Sequence, residues 1–209
     1  MKNPYIHESM LAHIDKSCIE TIFEIGCRDG LYTQPLWDIY KPKVLYSFEA
    51  NPQLQKTIEE NQKKLGDKVV HTNIGLWSTE RELVFYLHPD GGSSSFYKHP
   101  RDRTEAIVVG ATTLDLFCEK HAVEKIDLIC IDVEGAEPAI FTNQKILNTV
   151  TYIIAEVAFD PMWKKGCPHI EHLEGSLAPY GFEMVNTLLN PTKQFGDTLW
   201  VKKGNEQKL

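Results

Sequence analysis

TIFEIGCRDGLYT, residues Thr21 to Thr33, reads as an apolar strand that ends in an acid, turns on two glycines and meets a helix start. Its companion is FEANP, Phe48 to Pro52. There a second strand ends in Glu49, about 20 residues beyond the first glycine, where dinucleotide-type folds keep a carboxylate for a ribose. Gly26 and Gly30 let a backbone come close to a ligand, and one carboxylate can accept both ribose hydroxyls. Arg28 occupies the place of the middle glycine of G-x-G-x-x-G. The turn is therefore informative mainly through its pairing with Glu49.

Outward from this stretch, the sequence alternates strands and helices. Apolar runs predict strands over about 20–25, 44–48, 68–72, 127–131 and 152–157. The run over 127–131 is nearly all apolar, as a strand covered on both faces should be. Thr33 is a candidate cap for a helix to Tyr40, with Pro35 tolerated in its first turn, and Asn51-Pro52 opens a helix to about 65. Thr113 caps TLDLFCEKH, Pro138 opens a helix ending near 148, and another helix covers about 169–177. Asn3-Pro4 suggests a capped opening helix with Tyr5, Met10, Leu11 and Ile14 on its apolar side. Strands over 82–87 and 105–110 flank HPDGGSSSFYKHP, a turn-forming loop rather than a linker, because the βα rhythm resumes beyond it. Segments 181–188 and 198–202 close the chain as an antiparallel pair.

The expected fold class is α/β: a mostly parallel, doubly wound, Rossmann-like class I methyltransferase sheet with an antiparallel C-terminal hairpin. One domain is expected over residues 1–209, with an N-terminal accessory helix over 1–18. A strand-and-loop insertion over 76–111 would carry a candidate lid, Gly91–Phe96. Glu24, Glu49, Asn73, Asp132 and Glu156 all fall at or near carboxyl ends of strands, where open sheets bind ligands.

Composition narrows the class. The 209 residues are 42% hydrophobic and 24% charged, which is ordinary for a folded domain and argues against disorder. A formal charge of −7 disfavours a nucleic-acid binder, which needs a basic face. The polar N-terminus has no secretory core, and no apolar run approaches the ~20 residues that span a bilayer, so no membrane partner and a cytoplasmic location are expected. Five cysteines without a C-x-x-C pair fit neither a disulfide framework nor a zinc site.

The polar residues suit S-adenosylmethionine. Glu49 can accept from its ribose, and Thr72-Asn73-Ile74-Gly75 can rim the adenine slot. The Gly26–Gly30 turn, with Glu24 or Asp132, can hold the aminoacyl end. The sulfonium is positive and tolerates an acidic rim, whereas a pyrophosphate prefers amide donors.

Five stretches, in order, resemble the motifs of FkbM-type methyltransferases: EIGCRDGLYT, FEANP, GGSSSF, TTLDLF and IDLICIDVEGAE. The last is the longest and most specific. The resemblance implies a class I S-adenosylmethionine-dependent methyltransferase, typically an O-methyltransferase acting on sugar or polyketide hydroxyls. Carried over, it assigns Glu24, Gly26 and Gly30 to the cofactor loop and Glu49 to the ribose. Asp132, Glu134, Gly135 and Glu137 fall beside the transferred methyl. Arg28 departs from the family's asparagine and Cys130 from its frequent lysine; the latter removes a charge near the site or fills core.

The expected site residues are therefore Asp132 and Glu134 for catalysis, and Glu24, Gly26, Gly30, Glu49, Asn73, Gly75 and Asp132 for the cofactor. A base in hydrogen-bond reach of the acceptor hydroxyl helps it lose its proton, and Glu156 is a third candidate. The bland reading makes Glu134 or Glu137 acceptors for amides at the next helix N-terminus. Asp132 and Glu156 could also hold Mg²⁺, but spacing does not show that they meet, and no metal site is assigned. His169-x-x-His172 reads as surface decoration. His88 and His99 flank the serine loop and could touch a substrate. Trp77, Trp163 and Trp200 read as packing, though Trp163 could line a sugar face. The expected acceptor is a small-molecule hydroxyl, a sugar or glycosylated metabolite. Two rivals keep the fold: a cofactor-binding module whose active site has drifted, and a nicotinamide-dependent oxidoreductase.

Overall fold

The computed structural model describes residues 4–89, 92–98, 105–160 and 167–204. Four strands carry apolar residues on both faces: β1 (Thr21–Ile25), β2 (Val44–Phe48), β7 (Leu128–Ile131) and β8 (Tyr152–Ala158). Each must be covered twice, which places them inside a parallel sheet between helices. β3 (Val69–Thr72) flanks them on one side, and β10 (Phe195–Lys202) and β9 (Phe182–Leu189) on the other. The spatial order is β3-β2-β1-β7-β8-β10-β9, with β10 antiparallel to both of its neighbours. This is the expected doubly wound sheet with its terminal hairpin.

Alternation along each strand sorts the core into two layers. Phe23, Ile25, Ile129, Ile131 and Ile153 meet α4 (Leu114–His121), α5 (Glu137–Phe141) and α6 (Ile170–Leu177). Ile22, Leu45, Leu128, Cys130 and Ile154 meet α1 (Glu8–Leu11) and α2 (Thr33–Tyr40). Cys130 is fully buried there, so it fills core. α3 (Gln55–Gln62) buries Ile58. A second sheet, order β4-β6-β5, is formed by β4 (Gly75–Leu76), β5 (Arg81–Leu87) and β6 (Glu105–Thr112).

Several local expectations are revised. Thr33 lies inside α2 and Tyr32 precedes it; the Thr33 hydroxyl donates to the buried Glu24 carboxyl at 2.6 Å instead of capping. The single helix expected over 138–148 is two pieces, α5 and a 3₁₀ turn over Lys145–Asn148, separated by Asn143 at φ +58°. The opening helix is likewise broken into a 3₁₀ turn over Pro4–Ile6 and α1, whose cap is the His7 side chain. Asp127 falls outside β7; its carboxylate instead accepts the Glu20 and Thr21 amides at 2.8 and 2.9 Å. Asn51 and Thr113 do cap as their sequences suggest, accepting from Gln53 N and Leu116 N. Among the described residues, no helix is long and apolar enough to cross a membrane.

Candidate active site

The strand order reverses between β1 and β7, and a cavity of about 500 Å³ opens there above the carboxyl ends of the strands. That volume and position match a small-molecule site in an open α/β sheet. Its walls come from the glycine turn, Glu49, the residues after β3, the serine loop and an acidic group on the β7–β8–β10 side.

The glycine turn is fixed by close backbone contact. The Gly26 and Cys27 amides both donate to the Phe48 carbonyl, at 2.9 and 3.0 Å. A Cβ on Gly26, at φ +83°, would overlap the Asp132 carbonyl oxygen, so the residue must be glycine for β1 and β7 to end side by side. Gly30, at φ +74°, lies against Gln62 and Ile58. Arg28 keeps a left-handed backbone, φ +52°, although it carries a side chain. Its amide donates to Glu49 Oε2 at 2.9 Å while the Asn51 amide donates to Oε1 at 2.8 Å. Burial pushes the Glu49 carboxyl up to about 7, against the pull of the Asn51 and Arg28 amides.

Beyond Glu49 the wall is apolar, with Ile74, Leu76, Phe85 and Phe96. A Cβ on Gly75 would stand 2.7 Å from Phe96 Cζ, so glycine makes room for that ring. The serine loop docks through backbone pairing of Ser95 with Tyr86 and through Ser95 Oγ, which donates to the Glu134 carbonyl at 2.9 Å. Gly91 of the candidate lid lies outside the described residues, as do His99 and Trp163. His169 and His172 form a mutual cap at the start of α6, with ring nitrogens 2.9 Å apart.

On the opposite side Asp132, Glu134 and Glu156 bring carboxylate oxygens within 4.8 Å of one another. Asp132 and Glu156, left separate by sequence, therefore do meet. Burial first, then Asp132 and Asp197, raise the Glu156 carboxyl well above the usual carboxylate range. Burial and Asp132 push Asp197 up to about 7. Glu134 has φ +58°, a strained setting for a residue with a side chain. Glu137 sits below the loop, 3% exposed, and accepts the Val133 amide at 2.9 Å, which fits its bland reading.

Of the expected site residues, Gly26, Glu49, Gly75, Asp132 and Glu134 line the cavity. Glu24, Gly30 and Asn73 stand behind its wall: Glu24 holds Thr33, and Asn73 donates to the Glu49 carbonyl at 2.8 Å. Sequence reading missed Asp197, Tyr5 and Tyr32, which also line it. Asp197 was detectable as a lone acid inside an apolar strand; its register partner is Glu156. Tyr5, expected on the apolar side of the opening helix, meets Tyr32 edge to face at 6.2 Å; Tyr32 stands in the EIGCRDGLYT motif but carries no assigned role.

The lining offers a glycine turn, a buried carboxylate and an apolar wall, a set of groups compatible with S-adenosylmethionine. Fold and cavity together define a class I methyltransferase. The Methyltransferase FkbM domain matches residues 24–184, and the chain belongs to the FkbM family of S-adenosylmethionine-dependent methyltransferases. It is similar to 2-O-methyltransferase NoeI of Sinorhizobium fredii, 25% identical over 166 residues, covering 71% of this chain and 67% of that protein. Among solved structures it resembles the N-methyltransferase NodS of Bradyrhizobium japonicum, with TM-score 0.53, 13% identity, and 96% and 98% of the two chains covered. Fibrillarin of Aeropyrum pernix, solved with natively bound S-adenosyl-L-methionine, gives TM-score 0.53 at 13% identity, covering 87% of this chain and 66% of that one.

Proposed function

We propose that this methyltransferase acts on a hydroxyl of a small molecule, a sugar or glycosylated metabolite. When bound, S-adenosylmethionine supplies an activated methyl on a positive sulfur. Glu49 holds the ribose hydroxyls, Gly26 and its turn receive the aminoacyl end, and Ile74, Gly75 and Phe96 shape the adenine slot. Glu24, Gly30 and Asn73 serve by keeping those residues in place. The serine loop covers the ligands and excludes water, which strengthens the electrostatics of a displacement that needs orientation above all.

Asp132 accepts the proton of the acceptor hydroxyl, and Glu134 orients that hydroxyl. A base so placed contributes roughly 10²- to 10⁴-fold. The acidic wall also disfavours phosphorylated acceptors and nucleic acid, in keeping with the charge of −7. The observation that carries this reading is that Glu49 and Asp132 line one cavity from opposite sides of β1. The 2-O-methyltransferase relative supports a hydroxyl acceptor.

The test is incubation of the purified protein with S-adenosylmethionine labelled at its methyl group and a panel of oligosaccharides and polyketide glycosides. Label recovered in a methyl ether is the expected product. Cofactor binding without transfer to any member of a broad panel would favour the drifted binding module instead.

A further inference from the structure

Beneath the glycine turn lies a polar cluster that takes no part in the chemistry above. Glu24, Thr33, Ser47 and Gln62 are 1%, 0%, 0% and 6% exposed. Thr33 donates to Glu24, and the Gln62 amide nitrogen donates to Thr33 Oγ1 at 2.9 Å and Ser47 Oγ at 3.0 Å. Ser47 Oγ in turn lies 3.1 Å from His71 Nδ1. The cluster thus ties β1, β2, β3 and α2 to the last residue of α3. Its neighbour Asn61 donates to the Asp29 carbonyl at 2.7 Å, and a Cβ on Gly30 would come within 3.2 Å of Gln62 Nε2. The final turn of α3 therefore grips the glycine turn at positions 29, 30 and 33.

Asn61, Gln62, Thr33 and Ser47 are absent from the cavity wall, whereas Cys27, Arg28 and Asp29 form part of it. The gripped segment also contains Arg28 in a left-handed backbone, a conformation costly for a residue with a Cβ and kept only where surrounding contacts enforce it. A ligand that had to order this turn on arrival would lose affinity to its conformational entropy. We propose that Asn61 and Gln62 are positioning residues that pre-form the cofactor turn from behind, acting on S-adenosylmethionine affinity through Asp29 and Thr33 without touching the ligand. This rests on the assignment of that turn to the cofactor.

The test compares wild type with Asn61→Ala and Gln62→Met by calorimetry with S-adenosylhomocysteine, steady-state kinetics, and amide exchange over residues 26–33. Loss of one such hydrogen bond should weaken S-adenosylhomocysteine binding and raise the cofactor KM roughly 5- to 10-fold. Acceptor KM should not move, and kcat should stay within about twofold. Amide exchange in the turn should quicken without ligand and return to the wild-type rate at saturation. Gln62→Met opens a buried cluster; if it does not fold, Asn61→Ala, at a half-buried site with one such contact, decides alone. Affinity within twofold of wild type in Asn61→Ala, or a fall in kcat with unchanged cofactor KM, would overturn the proposal. Wild-type protein that ignores S-adenosylhomocysteine at millimolar supply would instead sink the cofactor assignment itself, and this proposal with it.

Discussion

Glu49 and Asp132 line the same cavity from opposite sides of β1, yet the groups around them differ in kind. Glu49 is held by backbone amides of its own neighbourhood, Arg28 in the preceding turn and Asn51 two residues on. Such contacts fix a carboxylate wherever the chain makes that turn, and they draw its proton affinity down against burial. Asp132 stands instead among Glu134, Glu156 and Asp197, supplied by β10 and by β8 and the loop after β7. Burial and the neighbouring Asp132 raise the Glu156 and Asp197 carboxyls above the usual carboxylate range. One side is a socket set by local geometry; the other is a cluster of carboxyls that forms only once distant strands align.

The comparison can be broken or sharpened by substitution. Asp132→Asn should have the largest effect, a fall in turnover of about 10²-fold or more, with S-adenosylhomocysteine affinity within a few-fold of wild type. Gly26→Ala should act on fold and cofactor together: the added Cβ overlaps the Asp132 carbonyl between β1 and β7, so the melting temperature should fall along with the calorimetric affinity. Glu49→Ala should cost about 1.5–3 kcal/mol of cofactor affinity, the worth of charge-assisted hydrogen bonds, while Glu49→Gln loses less because it still accepts an amide. Unchanged affinity in Glu49→Ala would remove the ribose assignment.

A smaller effect should appear in stability against pH. Glu24 and Glu137 are pushed up to about 8, and Glu49 and Asp197 to about 7, chiefly by burial. A carboxyl whose folded pKa exceeds its unfolded value holds its proton better when folded, so stability falls as pH rises between the two values. The melting temperature of the ligand-free protein should therefore drop from about pH 5 to pH 8. Glu137→Gln, which keeps an acceptor for the Val133 amide, should flatten that drop. A melting temperature that climbs over the same range would contradict these shifts. Smallest of all, Asp197→Asn should change acceptor KM a few-fold and leave the cofactor KM alone.

The same contrast explains what could be read from the chain. The socket is contiguous, so Gly26, Gly30 and Glu49 stand in two short motifs whose spacing has one geometric meaning, and the strand plan followed from apolar runs and caps at Asn51 and Thr113. Asp197 joins Glu156 only through antiparallel register, which no spacing encodes. Thr33 misled because a hydroxyl near a helix start can cap or can serve a buried carboxyl, and Glu24 becomes that carboxyl only inside the folded sheet. Asn143 breaks the helix expected over 138–148 by taking a left-handed backbone, a choice asparagine tolerates and sequence does not announce.

The most direct test is a crystal structure with S-adenosylhomocysteine. The expected result has both ribose hydroxyls within hydrogen-bond distance of Glu49 and the sulfur turned toward Asp132, with the adenine beside Gly75 and Phe96. A nucleoside bound away from Glu49, or a sulfur directed from the Asp132 side into solvent, would contradict the proposed division of the cavity.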